Sequence, residues 1–385
     1  MHEIVVLGAG YAGMTAAVSI AGRTRKEDVR VTLVSASERF TERLRLHQVA
    51  SGQELKDLRI PDLLRGTGIE LVTGWVTGID PETHTVRVDD ERVVQYDTLV
   101  YALGSVTDTR AVPGADDHAF TLDGPAEATV LANRLSSGEH LTVAVCGGGL
   151  TGIEAAAELA ERHPGLDVVL LAREEPGAAL GPAARRHLDA ALDRLGVRVR
   201  SGADVVKVLP HGVELAGGET LAADVVLWVG GVRVAPLAAA AGLTVDDRGR
   251  IVTDAYLRSV SHPDVYAIGD AAAIRQRYGM MHGTCQSGMP TGVHAAATIV
   301  RALAGKAPRP FRYGYFHTPV SLGRGDAVVQ FTHPDGSPRR MYLTGRRAAW
   351  YKETVSASPW PGFARTYKLP ASGMFAWRRG GNYTR

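Results

Sequence analysis

Cysteine is nearly absent: the 385 residues contain two, Cys146 and Cys285. They stand too far apart to form a CxxC or CxxxxC pair, and no Cys/His set has zinc spacing. A disulfide framework and a structural zinc site are therefore excluded, and a reducing, cytoplasmic setting fits. Long apolar runs are missing as well, since none approaches the roughly 18 residues of a spanning helix. Net charge of one sign is lacking too: a formal +2 does not suggest wholesale nucleic-acid binding, and none is expected. There are no short repeats and no low-complexity tracts. What remains, 45% hydrophobic and 22% charged residues, describes an ordinary globular chain long enough for two or three domains.

Glycine is plentiful, and two clusters of it carry most of the information. Gly8-Ala9-Gly10-Tyr11-Ala12-Gly13 follows the apolar run Ile4 to Leu7 and opens an Ala-rich stretch, Met14 to Ala21. Gly147-Gly148-Gly149-Leu150-Thr151-Gly152 follows Leu141 to Cys146 and opens Ile153 to Ala160. Each reads as strand, turn, helix. Glycine lets the backbone bend sharply and lets a diphosphate approach its N–H groups, with the helix dipole facing the charge. One such turn is weak evidence; two in this context imply two nucleotides on one chain. The first turn begins so early that no room for a signal peptide is expected ahead of it.

Strand and helix alternate around these turns. Val29 to Val34 and Val168 to Leu171 read as the second strands of two similar units, and Thr98 to Leu103 and Asp224 to Val229 as further buried strands followed by glycine, at Gly104 and Gly230. The first unit resumes at Asp264 to Asp270, so the second is inserted into it. The expected division is 1–112 with 243–320, then 113–242, then a C-terminal domain, 321–385.

That last segment is distinct. From Ser337 to Arg385 there are ten Arg or Lys and one acid, Glu353, together with Trp350, Trp360 and Trp377. A basic aromatic tail can meet a membrane surface, an acidic protein or a second subunit of a homodimer, or it can pack as a C-terminal domain with solvated arginines. Pro359, Pro361 and Pro370, with Gly362 and Gly373, argue against one long amphipathic helix. Packing over the cofactor or at a dimer contact is the expected role of its aromatics.

Four elements, GAGYAG, YALGS, GGGLTGIE and YAIGDAA, resemble the pyridine nucleotide–disulfide oxidoreductase superfamily over about the first 300 residues. The resemblance implies an α/β fold: two Rossmann-like dinucleotide-binding domains, the second inserted in the first, plus a C-terminal domain. It implies FAD at the first turn (Gly8, Gly10, Tyr11, Ala12, Gly13) and NADPH or NADH at the second (Gly147, Gly149, Gly152). Gly104, Gly269 and Asp270 would complete the FAD site, Asp270 near the ribityl and phosphate region, and Gly230 the second.

Departures from the family pattern narrow the reading. Phe40 to Gly52, where disulfide reductases carry CxxxxC, contains no cysteine. Electrons should therefore pass from flavin directly to an acceptor, which is similar to the branch of type II NADH:quinone oxidoreductases and sulfide:quinone reductases. Gln286 matches one position of that branch's quinone-site helix, although the alanine-glutamine pair that usually precedes it is absent. At the end of the second strand Ser35 replaces the acid that usually binds the FAD ribose, and Glu38 could reach back. In the second fold the matching place is Ala172, followed by Arg173. This is similar to the NADPH-using arrangement, since arginine suits a 2′-phosphate. Arg173 could instead pair with Glu174 or Glu175.

Glu154 matches a family carboxylate near the nicotinamide–flavin contact; read alone, it is an acid favoured by a helix N-terminus. Arg45 and His47, on an expected helix, lie where related enzymes line the flavin or acceptor pocket. The expected function is an FAD-dependent NAD(P)H oxidoreductase with a quinone or quinone-like acceptor. The alternatives are a ferredoxin-type reductase serving an acidic redox protein and a nucleotide-occupancy sensor. The expected location is cytoplasmic or peripheral to a membrane.

Overall fold

The computed structural model describes residues 1–24, 28–136 and 140–370. Two parallel sheets organise it. In the first, the order is Val265–Ala267, Thr98–Tyr101, His2–Leu7, Val29–Ser35, Ile69–Thr73. In the second, it is Arg198–Ser201, Asp167–Ala172, Thr142–Cys146, Val225–Trp228. Both sheets are rich in β-branched and leucine residues because both faces are covered, in the second sheet by helices on one face and an antiparallel meander on the other, and Ile4, Val5, Val6 and Leu7 are all buried.

In each sheet the strand that feeds the glycine turn is interior. Leu7 pairs with Val34 on one side and Tyr101 on the other; Cys146 pairs with Leu171 and Trp228. Each unit also carries a three-stranded antiparallel meander, Val76–Asp80 with Thr85–Val88 and Arg92–Gln95, and Val205–Leu209 with Gly212–Leu215 and Thr220–Ala222. The duplication thus extends well beyond the turns. Where the chain leaves the first sheet and returns, Val106–Thr107 and Val232–Arg233 pair antiparallel.

The helix Tyr11–Arg23 packs against the helix Cys285–Leu303, and alanine and glycine bring them close. A Cβ at Gly292 would strike the Ala12 carbonyl and reach the Ala16 nitrogen. The C-terminal part is an antiparallel sheet, His317–Ser321, Ala327–Thr332 and Pro338–Thr344, followed by the helices Gly345–Ala357 and Pro359–Lys368. Its sheet docks on the second nucleotide fold: the Gly181 amide donates to Gln330 Oε1 at 3.0 Å, and Asp326 meets His187 and Arg194, each at 2.8 Å.

The tail aromatics divide. Phe363 is fully buried and packs with Trp360 on Phe40, which meets Tyr11 edge-on, 5.1 Å between ring centres. Trp350 does not pack as expected: it is 71% exposed on the outer face of its helix. Gly373, Trp377 and the three arginines beyond it lie outside the described residues. Among the described residues, no helix is long and apolar enough to cross a membrane.

Candidate active site

The two glycine turns are built alike. Gly8 donates to the Val34 carbonyl at 2.8 Å and Gly147 to that of Leu171 at 2.9 Å. Both have positive φ, +96° and +134°, which side chains rarely adopt. A Cβ at Gly13 would collide with the Gly8 carbonyl, and one at Gly152 with that of Gly147. By contrast, a Cβ at Gly10 or Gly149 would meet nothing within 4 Å. The helices that follow have neither a side-chain cap nor an acid in the first turn. Uncapped amides beneath an open glycine fit a dinucleotide diphosphate at each turn.

Around the first turn the expected residues converge. Gly104, at φ +68°, precedes Ser105, whose hydroxyl donates to Asp270 Oδ2 at 2.9 Å. A Cβ on Gly269 would lie 3.1 Å from that of Ala12, so the Gly-Asp turn sits directly against the first helix. Asp270 stands in the helical turn Gly269–Ala271. Ser35 turns onto its own loop, donating to the Ser37 carbonyl at 2.7 Å, while Glu38 pairs with Arg59 at 3.0 Å. Around the second turn, a Cβ at Gly147 would come within 3.0 Å of the Gly230 nitrogen. Ala172 is buried, and Arg173 beside it is 78% exposed, 3.5 Å from Asp204. Arg173 therefore does not pair with Glu174 or Glu175; Glu175 binds Arg185 at 2.8 Å.

The densest chemistry lies where all three parts meet. The helix Leu150–Arg162 carries Glu154 inward, and the Ser321 amide donates to its Oε1 at 2.9 Å. Lys352, from Gly345–Ala357, places Nζ 2.9 Å from the same oxygen. His47 Nδ1 approaches Oε2 at 3.9 Å, while its Nε2 is buried without a partner. Burial pushes the Glu154 carboxyl up, but Lys352, His47 and the Ser321 amide together outweigh it and hold it below its ordinary value. Burial lowers His47 to about 4, so its imidazole is neutral at pH 7.

A second layer supports this cluster. Arg45 binds Glu353 Oε2 at 2.8 Å, and Gln48 reaches the same side chain. Arg324 joins Glu158, Glu353 and the Ser321 hydroxyl, each by a 2.9 Å bond, and its amide donates to Glu161 at 2.7 Å. The single expected helix over this region is broken: Arg45 ends a short turn, Arg43–Arg45, and His47 lies in Leu46–Ala50.

Gln286 does come near the first fold, in the opening turn of Cys285–Leu303, but its amide is fully engaged. It donates to the His317 carbonyl at 2.9 Å and accepts from the Tyr313 hydroxyl at 2.9 Å. Both cysteines are unpaired; burial pushes Cys146 up to about 12 and Cys285 to about 11, so neither is a ready thiolate. Lys352 and Arg324 escaped the sequence reading. The one available signal was a lysine enclosed by Trp350, Tyr351 and an acid, since lysine is almost never fully buried unless paired.

The model of the pyridine nucleotide-disulphide oxidoreductase family matches residues 2–297. The chain belongs to that family. It is 32% identical over 383 residues to an NADH dehydrogenase-like protein of Mycobacterium tuberculosis, covering 92% of this chain and 93% of the relative. It is 29% identical to a type II NADH:quinone oxidoreductase of Staphylococcus epidermidis, over 98% of each chain. Among solved structures, the sulfide:quinone oxidoreductase of Aquifex aeolicus superposes with a TM-score of 0.79 at 18% identity, covering 97% of this chain and 95% of the other. The protein is an FAD-dependent NAD(P)H oxidoreductase with the two-nucleotide fold of its family.

Proposed function

We propose that the protein passes electrons from NADPH or NADH, through FAD, to a quinone or quinone-like aromatic. The observation that carries this reading is the buried Glu154–Lys352 pair with neutral His47 beside it, in a chain that lacks a dithiol. The bound flavin supplies the chemistry, accepting a hydride equivalent and releasing two electrons. Gly8 to Gly13 would hold the FAD diphosphate, with Asp270 at the ribityl and phosphate region. Gly147 to Gly152 would hold that of the nicotinamide nucleotide.

The protein's own task is to orient the rings, exclude water and manage protons. Reducing a quinone with NAD(P)H takes up one further proton, since NAD(P)H, H⁺ and quinone give NAD(P)⁺ and hydroquinone. Lys352 Nζ holds a proton against Glu154 Oε1 at 2.9 Å, within a region sealed from solvent. Neutral His47 can accept a proton at Nε2 when one is delivered beside it. Arg45 and Arg324 fix Glu353 and Glu158 around this pair and act as positioning residues. Arg173, exposed and only loosely held by Asp204, favours NADPH through its 2′-phosphate.

Anaerobic rapid mixing tests the reading. Each nucleotide should bleach the flavin, NADPH at least as well as NADH, and a soluble quinone should then restore the colour. A chromophore released as FMN, or flavin that neither nucleotide reduces, sinks it. A second reading rests on exposed Arg340, Arg346 and Arg347, which suit an acidic redox protein. Reoxidation by such a protein, steeply weakened by salt while quinone reduction is slow, would favour that acceptor. Nucleotide binding without turnover on any acceptor would favour the sensor.

A further inference from the structure

Away from the nucleotide turns, a cavity of about 190 Å³ opens on the first fold, lined by Asp254, Leu257, Arg275, Arg277, Phe311 and Arg312 among others. Its floor is apolar: Leu257, Ile274 and Phe311 are 1%, 2% and 7% exposed. Its rim is cationic. Arg275 and Arg277 belong to a hairpin in which Arg275 pairs with Met280 and Gln276 with Gly279. Arg275 is on the first strand and Arg277 opens the turn that follows, both exposed and both lining the cavity, while Gln276 Oε1 accepts the Tyr313 amide at 3.2 Å. Arg312 stands between buried Phe311 and Tyr313, so its side chain is turned out to the rim.

The charges are not cancelled. None of these three guanidinium groups has an ion pair among the described residues, whereas Arg39, Arg59, Arg198 and Arg200, exposed elsewhere on the protein, are each matched to an acid. The pocket's one carboxylate, Asp254, is already committed. It takes the Arg258 side chain at 2.8 Å and the amides of Tyr256 and Arg258 at 2.8 and 2.9 Å. That turn holds Leu257 at φ +70°, a strained conformation for a branched residue, and fixes the wall of the cavity. The cavity is smaller than the roughly 300–1,000 Å³ of drug-sized sites, so it suits a compact group and not a whole nucleotide.

We propose that Arg275, Arg277 and Arg312 form a binding site for a phosphate group, free or carried as the ester of a small molecule. Guanidinium forks match phosphate oxygens in pairs, and three of them around an apolar floor supply charge and directionality together. The assignment is independent of the acceptor chemistry proposed above.

Calorimetric titration of the FAD-loaded, full-length protein tests it, at constant ionic strength in chloride, with inorganic phosphate, diphosphate and phenyl phosphate in separate arms. The expected result is saturable binding that the Arg277→Gln, Arg312→Gln double variant weakens about tenfold or more, since bonds to charged groups are involved. The two changes are on exposed side chains, so FAD content and thermal unfolding should stay at the parent values. Inorganic phosphate binding tighter than phenyl phosphate identifies the free ion as the ligand, and the reverse identifies an ester. No saturable binding in any arm overturns the proposal. So does binding that the double variant leaves intact, or that Arg173→Ala abolishes instead, which would place it at the nucleotide fold. Loss of binding to a polyglutamate peptide with phosphate binding unchanged would show a protein-docking surface and overturn it as well.

Discussion

Lys352 Nζ sits 2.9 Å from Glu154 Oε1, joining the helix Gly345–Ala357 to the helix that follows the second glycine turn. Both side chains are buried, and neither belongs to the fold that supplies the other. Removing one partner leaves the other as an uncompensated charge. Lys352→Met should therefore destabilise the protein by roughly 3–5 kcal/mol, measured by denaturant unfolding. Replacing both, as Lys352→Met with Glu154→Gln, should recover part of that loss. A Lys352→Met protein of parental stability would show that the pair does not hold the parts together.

The same cluster sets a pH dependence. His47 titrates at about 4 in the folded protein, below its ordinary 6.5, because burial disfavours its charge. As pH falls from about 6.5 to about 4, the unfolded chain binds a proton that the folded one refuses, so stability drops by about 3 kcal/mol. Glu154, also held low, adds to the loss as pH falls further, while Glu158, raised by burial, runs the other way. His47→Gln should flatten the curve between pH 6.5 and 4 relative to the parent. Parallel curves for the two proteins would refute the assignment.

Arg173→Ala should raise the KM for NADPH and leave NADH nearly unchanged. A lost bond to a charged group is worth roughly 1.5–3 kcal/mol, and the 78% exposure of Arg173 places the effect at the lower end of that range. Asp204→Asn should shift preference further toward NADPH by releasing the arginine from its present partner. Equal effects on both nucleotides would remove Arg173 from the specificity site.

A Cys146→Ala, Cys285→Ala protein should retain FAD and turn over at close to the parent rate, because neither thiol has a partner. Flavin that is still reduced by nucleotide but no longer reoxidised by any acceptor would overturn direct transfer and point to Cys285.

Phe363 is fully buried against Phe40, which in turn meets Tyr11 of the first glycine turn. Phe363→Ala should cost about 3–5 kcal/mol and lower the FAD content of the purified protein. Trp350→Ala, at an exposed site, should change stability by less than about 0.5 kcal/mol. If Phe363→Ala keeps full flavin, the tail helix does not brace the first turn.

What could be read in the sequence was what local physics encodes. The two glycine turns announce themselves because sharp backbone bends and close approach demand glycine at fixed spacing. The buried strands announce themselves through continuous apolar runs. Glu154 was singled out by its match to a family carboxylate, since local physics alone reads it as an ordinary acid early in a helix. Its partner was not: Lys352 is separated from it by most of the second fold and the C-terminal sheet, and no periodicity links them. Gln286 shows the reverse case. It was read as one position of a quinone-site helix and does lie on a helix, but its amide is spent on the His317 carbonyl and the Tyr313 hydroxyl, contacts made by a segment the motif does not include. Arg173 was assigned a competitor on the next residues, whereas the strand end turns it toward Asp204.

The paired crossings Val106–Thr107 and Val232–Arg233 have a mechanical meaning. Two chain passages bonded side by side join the second nucleotide fold to the first at one place, so the crossing behaves as one attachment and not as two. The C-terminal sheet grips the same fold through Gln330 on Gly181, Asp326 on His187 and Arg194, and Ser321 on Glu154. The inserted fold is thus moored a second time by the segment farthest along the chain, and one of the moorings is the residue that carries the buried charge.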